Sequence, residues 1–189
     1  MAETDTSLTP EEKKKLLGIA RDTIEKRANG ERPVPPEEAS GALSESRGAF
    51  VTLHKHGHLR GCIGCFVGEG PLAETIQRMA ISAGWEDPRF PPVRKEEVDD
   101  IDIEISVLSP LREIDDVSEI EVGRHGIYIT KGFYRGVLLP QVATEQGWDR
   151  DTFLSHTCIK AGLSPDAWKN KDLKIEVFTA EIFGELENR

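Results

Sequence analysis

HLRGCIG, residues 58–64, places a thiol and a guanidinium two residues apart, and the thiol lies between two glycines. The apolar run at residues 49–53 predicts a buried strand, and residues 59–63 predict a return strand after a turn rich in histidine. The stretch therefore lies on or just after a β-hairpin. A cysteine held where the backbone can approach a bound group suits a nucleophile, and the same glycines suit a tight bend.

The rest of the chain mixes helical and strand patterns. Thr9 and Glu12 form a capping box, which predicts a first helix that ends near Gly30. Apolar and polar residues alternate over residues 101–107, which predicts a strand with one buried face. Similar patterns predict helices at 72–83, 141–145 and 150–161, a hairpin at 126–139 and one long final strand at 173–185.

Hairpins outnumber plausible crossover units in this pattern. The fold class is therefore predicted to be α+β, with a mostly antiparallel sheet flanked by helices. A length of 189 residues suits one domain, or one domain with a smaller lobe. The polar residues 1–8 are predicted to be a disordered lead-in, and residues 9–185 a single domain.

The chain is acidic, with a formal net charge of -10. A protein that binds phosphate backbones needs the opposite sign, so nucleic-acid binding is the function that we rank lowest. The apolar runs are too short for a membrane span, and the first residues lack a signal-peptide core, so we expect a cytoplasmic protein. Three cysteines, an odd number, argue against a framework of disulfides.

Cys62 and Cys65 form a C-x-x-C pair, for which dithiol redox chemistry and structural zinc binding are the alternatives. A thioredoxin-like pair opens a helix after a strand, whereas a hairpin precedes this pair. Zinc would need a second ligand pair, and His54, His56 and His58 crowd a single turn. We therefore expect neither dithiol redox chemistry nor structural zinc binding, and we identify no metal ligands. The residues do not indicate a cofactor.

Cys62 alone is a candidate nucleophile. Arg60 would lie on the same face of a regular strand, where its charge would stabilise a thiolate. His125, in a Gly-Arg-His-Gly stretch, is a candidate base. The alternative is that Cys62 is a small buried apolar residue, the commonest state of a free cysteine.

Two further stretches carry charged candidates. Asp87 and Arg89 lie on a loop bounded by prolines, where Arg89 can bind a carboxylate or phosphate with two N–H groups. An internal Asp–Arg pair that holds the loop explains the same residues. Glu104 lies on the polar face of the strand at 101–107 and is a candidate acid or base if that face lines a cleft. The alternative is a solvated face.

LRGCIG at residues 59–64 resembles the hallmark of the AMMECR-one domain family, whose prokaryotic members include the AmmeMemoRadiSam system protein A group. Further matching stretches follow in family order: GAFVTL (48–53), DPRFPP (87–92), IEISVL (103–108), GRHG (123–126), LPQVA (139–143) and CIKAGL (158–163). Together they cover nearly the whole chain and are highly specific. The family's customary residue at position 65 is small and polar, so Cys65 is a departure that weakens the C-x-x-C interpretation.

The resemblance implies an α+β fold in which a larger lobe with an antiparallel sheet meets a smaller lobe. It also implies partners, a Memo-like protein and a radical-SAM protein, in a shared modification pathway. It supplies no settled activity.

Our leading hypothesis is an enzyme or enzyme subunit that acts on a small anionic substrate. A non-catalytic adaptor for the Memo-like and radical-SAM proteins is the alternative. We expect the candidate residues of an enzyme to share one pocket. The catalytic candidates are Cys62, His125 and Glu104, and the substrate-binding candidates are Arg60, Asp87, Arg89 and Gln141.

Overall fold

A computed structural model describes residues 7–37 and 39–188 of the chain. The helices are α1 (Pro10–Ala28), α2 (Leu72–Trp85), α3 (Pro140–Gln146) and α4 (Arg150–Lys160). The strands are β1 (Ala49–Lys55), β2 (His58–Cys65), β3 (Ile101–Leu108), β4 (Arg112–Glu113), β5 (Gly126–Lys131), β6 (Tyr134–Leu138), β7 (Lys174–Phe178) and β8 (Ala180–Gly184).

The chain divides into two compact units. The first contains the residues up to 108 and those from 181 onward, and the second contains residues 109–180. Residues 1–6 of the predicted disordered lead-in lie outside the described residues. Leu8 is buried, and its N–H donates to the Glu181 carboxylate at 3.0 Å, so ordered chain begins before residue 9.

The first unit is built on a sheet with strand order β2-β1-β3-β8. The β1–β2 turn consists of His56 and Gly57, both with positive φ, as in two-residue hairpins. Val51 and Ile105, on one face of β1 and β3, are fully buried in one apolar cluster with α1 and α2. The opposite face of the same sheet carries half-buried, largely polar residues, and the candidate site lies there.

Local sequence explains α1. The Thr9 hydroxyl accepts from the Glu12 N–H and the Glu12 carboxylate accepts from the Thr9 N–H, which completes the predicted capping box. Leu16 and Ile24, on one helical stripe, are fully buried. The predicted strand at 101–107 likewise has the expected alternation of buried and half-buried residues.

The second unit contains a separate sheet with strand order β4-β7-β5-β6. Its core joins Ile127 and Ile129 of β5 to Phe153 and Leu154 of α4. The Asp149 side chain caps α4 by accepting from the Thr152 N–H at 2.8 Å, as its sequence position predicts.

The α+β prediction is confirmed, and the antiparallel strands of the described residues form two sheets. The single long strand predicted at 173–185 is wrong. β7 belongs to the second unit's sheet and β8 to the first unit's sheet. Thr179, between them, belongs to neither strand. The Thr179 backbone instead bonds Ser109, at 2.9 Å through its carbonyl and 3.0 Å through its N–H. Apolar alternation continues across this change of sheet, so periodicity does not reveal it.

No helix in the part of the chain that the structure describes is long and apolar enough to cross a membrane.

Candidate functional site

A β-bulge at Arg60 determines which side of the first sheet each residue of LRGCIG occupies. Lys55 pairs with His58 and His54 with Leu59, but Leu53 pairs with Gly61, so Arg60 has no partner in register. Without the bulge, Cys62 would oppose Val51 and share its buried face. The extra residue moves Cys62 opposite Thr52 and therefore onto the half-buried face.

The bulge also separates Arg60 from Cys62. The Arg60 guanidinium bonds both oxygens of Glu97, with Nε···Oε2 at 3.1 Å and Nη2···Oε1 at 2.7 Å. Lys55, which shares the face of Val51, reaches the same carboxylate at 3.2 Å. The prediction that Arg60 lies beside Cys62 on one strand face is wrong because it assumed a regular strand.

Glu97 bonds Arg60 and Lys55 as an ionised carboxylate. It lies in the 3₁₀ helix Lys95–Asp100, and its side chain is 15% exposed. The bidentate bond from Arg60 lowers the pKa of Glu97 to about 2, and the Arg94 N–H and Lys55 act in the same direction. Arg60 is thus engaged by an internal partner of the first unit.

Cys62, Thr52 and Glu104 form one row across β2, β1 and β3. The Thr52 hydroxyl donates to the Cys62 Sγ at 3.2 Å, and all three residues are half-buried. Glu104 is the cross-strand partner of Thr52 on the other side. Two strand spacings, about 10 Å, separate the backbones of Cys62 and Glu104. The row thus carries a thiol, a hydroxyl and a carboxylate on a solvent-reachable face.

The loop after α2 closes the edge of β2 against Cys62. The Asp87 carboxylate accepts the Cys62 N–H at 2.9 Å, and the Arg89 guanidinium donates to the Cys62 carbonyl at 3.3 Å. Asp87 and Arg89 also form a bidentate pair, with Nε···Oδ1 at 2.9 Å and Nη2···Oδ2 at 2.7 Å. Backbone groups of an edge strand are thereby satisfied by side chains, which protects the edge from pairing with another chain.

The two charges of this loop differ in exposure. Asp87 is 4% exposed, and its bonds from Arg89 and from the Cys62 N–H hold its pKa well below the usual range. The Arg89 side chain is 55% exposed. Asp87 raises the pKa of Arg89, and negative charge on Cys62 acts in the same direction. Arg89, which donates to the Cys62 carbonyl, is therefore the arginine that contacts Cys62, whereas Arg60 bonds Glu97.

The glycines of the motif serve close packing. A Cβ at Gly61 would lie 2.1 Å from the carbonyl oxygen of Ala83 in α2, and one at Gly64 would lie 2.2 Å from the Phe50 ring. Both lie within β2, so they allow helix and ring to approach the strand and do not form a bend.

Strand geometry separates the C-x-x-C pair. Cys62 and Cys65 are three residues apart within β2, so their side chains point to opposite faces and their Cα atoms are about 10 Å apart. A disulfide needs Cα atoms within about 7 Å. No cluster of three or more His, Cys, Asp or Glu side chains suited to a metal occurs among the described residues.

His125 and Gln141 lie in the second unit. His125 is 2% exposed, and its Nδ1 accepts the Glu121 N–H at 3.1 Å, which holds the turn before β5. Gln141 is half-buried in the first turn of α3, where its backbone carbonyl accepts from the Thr144 hydroxyl at 2.8 Å. Within the first unit, Cys62, Asp87, Arg89 and Glu104 share the outer face and edge of one sheet.

Sequence reasoning missed Thr52 and Glu97. The GAFVTL stretch contains Thr52 as a polar residue within an apolar strand, which is a usable signal. Its pairing with Cys62 depends on the bulge, however, and nothing in the residue types specifies a bulge there. Glu97 is one of several acidic residues in a charged segment, and only its contact with Arg60 distinguishes it.

These observations define an α+β protein with a half-exposed thiol on an open sheet face. The sequence pattern of the AMMECR1 family matches residues 17–183, and the chain belongs to this family. A protein of Thermococcus gammatolerans is 48% identical over 181 residues, which cover 90% of this chain and 88% of that protein. A protein of Methanothermobacter thermautotrophicus is 45% identical over 185 residues, which cover 94% and 96%.

A solved structure agrees with the fold. The crystal structure of the uncharacterized protein PH0010 from Pyrococcus horikoshii matches with a TM-score of 0.75 and 44% sequence identity. The match covers 90% of this chain and 89% of that one.

Proposed function

We propose that this chain is a thiol-dependent enzyme, or enzyme subunit, that acts on a small anionic substrate at the row of Cys62, Thr52 and Glu104. The observation that carries the proposal is the position of Cys62. The bulge at Arg60 places its sulfur on the half-exposed face, where the Thr52 hydroxyl donates to it. A hydroxyl donor at the sulfur and a guanidinium on the adjoining loop are groups that suit a reacting thiol.

Arg89 binds the anionic group of the substrate in this proposal. Asp87 takes two of its N–H directions and fixes the side chain, and more than half of that side chain remains exposed to solvent. A positioned guanidinium of this kind holds carboxylates and phosphates. The substrate's anionic group lies at the Arg89 end of the row, and its reacting atom lies next to Sγ.

Glu104 supplies the acid–base group. It lies on the far side of Thr52 from Cys62, so a small molecule above Thr52 contacts both the sulfur and the carboxylate. A carboxylate at that end also repels an anion, which orients the substrate with its charge toward Arg89. Arg60 is left out of this proposed site because it bonds Glu97, and His125 and Gln141 are left out because they belong to the second unit.

Competition between two alkylating reagents tests the site. We expect iodoacetate, which is anionic, to modify Cys62 faster relative to neutral iodoacetamide than it modifies Cys65. Arg89→Gln should lower this ratio at Cys62 by about tenfold, the equivalent of one charge-assisted contact. Site-resolved mass spectrometry after short exposure measures both rates. Cys158, buried and with its thiol pKa raised by burial, should react slowest.

Arg78→Gln is the matched control, because Arg78 is also exposed and lies on α2 of the same unit. It should leave the reagent ratio at Cys62 unchanged. Equal ratios at Cys62 and Cys65, or an equal effect of the two arginine variants, would rule out a local anion site. A Cys62 that reacts no faster than Cys65 in any pH range would remove the nucleophile.

A second candidate function is an adaptor for a Memo-like protein and a radical-SAM protein in the cytoplasm. The observation in its favour is Phe133, whose side chain is fully exposed at the β5–β6 turn beside the exposed Tyr134. Exposed aromatic side chains are enriched at protein interfaces. Co-purification with those two proteins that survives Cys62→Ser and is lost in Phe133→Ser would favour the adaptor.

A further inference from the structure

The cavity beside Arg60 belongs to neither proposed function. It has a volume of about 570 Å³, within the usual range of small-molecule sites. Lys55, Arg60 and Arg94 line it, together with the carboxylates of Glu96 and Glu97 and the rings of Pro91 and Pro92. All of these residues lie in the first unit. Three cationic groups against two carboxylates leave a local excess of positive charge in a chain whose net charge is -10.

Arg60 has a buried donor with no acceptor. The residue is 9% exposed, and Glu97 occupies the edge of its guanidinium formed by Nε and Nη2. Its Nη1 is buried and finds no acceptor among the described residues. A buried guanidinium N–H without an acceptor is costly, and such groups mark sites where a ligand oxygen or an ordered water binds.

The other two cations are held close to the same point. Lys55 shares the Glu97 carboxylate with Arg60, and the Arg94 N–H donates to that carboxylate at 2.9 Å. Glu97 therefore bonds the side chains of Lys55 and Arg60 and the backbone of Arg94, and it neutralises only part of the positive charge that lines the cavity. Three cationic side chains line this cavity. Together they can bond the three free oxygens of a phosphate monoester more completely than the two oxygens of a carboxylate.

We propose that this cavity binds the phosphate group of a small phosphate monoester. Arg60 Nη1, Lys55 and Arg94 contact the phosphate oxygens, and the organic part of the ligand lies against Pro91 and Pro92. The cavity is larger than a phosphate ion alone requires, which leaves room for that part. This site is separate from the row of Cys62, because Arg60 and Cys62 leave β2 on different sides.

Calorimetric titration of the full chain at low ionic strength tests the proposal, with inorganic phosphate, phenyl phosphate and acetate as probes. We expect saturable binding of phosphate, equal or tighter binding of phenyl phosphate, and acetate at least about tenfold weaker. Lys55→Gln and Arg94→Gln should each weaken phosphate binding by about fivefold or more. Glu96→Gln should strengthen it by about twofold, since it removes a negative charge from the lining.

Lys95→Gln is the matched control, because Lys95 is an exposed neighbour of Arg94 that does not line the cavity. Its phosphate affinity should equal that of the unmodified chain. Several results would overturn the proposal: no saturation, acetate binding as tight as phosphate binding, or an equal loss in Lys95→Gln. A loss in Arg89→Gln together with unchanged affinity in Lys55→Gln and Arg94→Gln would also overturn it, because the anion would then lie beside Cys62.

Discussion

Glu97→Gln should destabilise the first unit by an amount that depends strongly on pH. The Arg60 side chain is 11% exposed and that of Glu97 15%, so solvent screens the pair only weakly. The pKa of Glu97 falls from 4.5 to about 2 in the folded chain. A shift of this size corresponds to about 3 kcal/mol of stability at neutral pH. The amide removes that contribution and leaves the Arg60 charge buried without its counter-charge.

The pH dependence has a definite direction. A lowered pKa stabilises the fold fully above pH 4.5, and this stabilisation disappears as the pH falls toward 2. The difference in unfolding free energy between the unmodified chain and Glu97→Gln should therefore shrink by about 2 kcal/mol between pH 7 and pH 3.

Urea unfolding followed by circular dichroism at pH 7, 5, 4 and 3 measures this difference. Glu96→Gln is the control, since Glu96 is exposed and lies next to Glu97, and it should change stability by less than about 0.5 kcal/mol. A difference below about 1 kcal/mol at pH 7, or one that does not change with pH, would refute the assignment of Arg60 and Glu97 as a stabilising pair.

Two further substitutions test the loop and the motif. Asp87→Asn should cost about 2 kcal/mol at pH 7, and this difference should shrink progressively as the pH falls below 3.8, because the folded chain lowers the pKa of Asp87. Denaturant unfolding measures this loss of stability, with Asp99→Asn, at an exposed position, as the control. Equal losses in the two variants would contradict the prediction. Gly61→Ala should cost at least about 2 kcal/mol, because its Cβ meets the Ala83 carbonyl. Thermal unfolding measures this cost. Gly18→Ala is the control, because a Cβ at Gly18 in α1 meets open space, and this variant should gain up to about 1 kcal/mol of stability. Similar effects of the two substitutions would disprove the clash.

Local patterns in the sequence predicted much of the fold. The capping box at Thr9 fixes the start of α1, and the alternation over residues 101–107 identifies β3 with its buried and polar faces. These features depend on neighbouring residues, so the sequence carries them directly. The change of sheet at Thr179 could not be predicted, because it depends on a bond to Ser109, 70 residues away.

The sequence names candidate residues for a site but does not give their arrangement. Cys62 and Glu104 do share a face, as two polar positions on strands allow. A regular two-residue period places Arg60 beside Cys62, but one unpaired residue in β2 reverses the relation. Two residues that the sequence did not single out also contact the motif: Thr52 through register and Glu97 through a turn of 3₁₀ helix. Neither contact leaves a local trace in the sequence.

The bonds between Ser109 and Thr179 have a consequence for how the chain is assembled. They bring together the two points at which the polypeptide enters and leaves the second unit. The second unit is thus a guest domain inserted into a host, with its ends adjoining. Removing residues 109–180 and joining Leu108 to Glu181 through a short turn would reconnect β3 to β8, which are already neighbours in the host sheet. Exchange of guest domains between members of the family is a natural route for protein engineering.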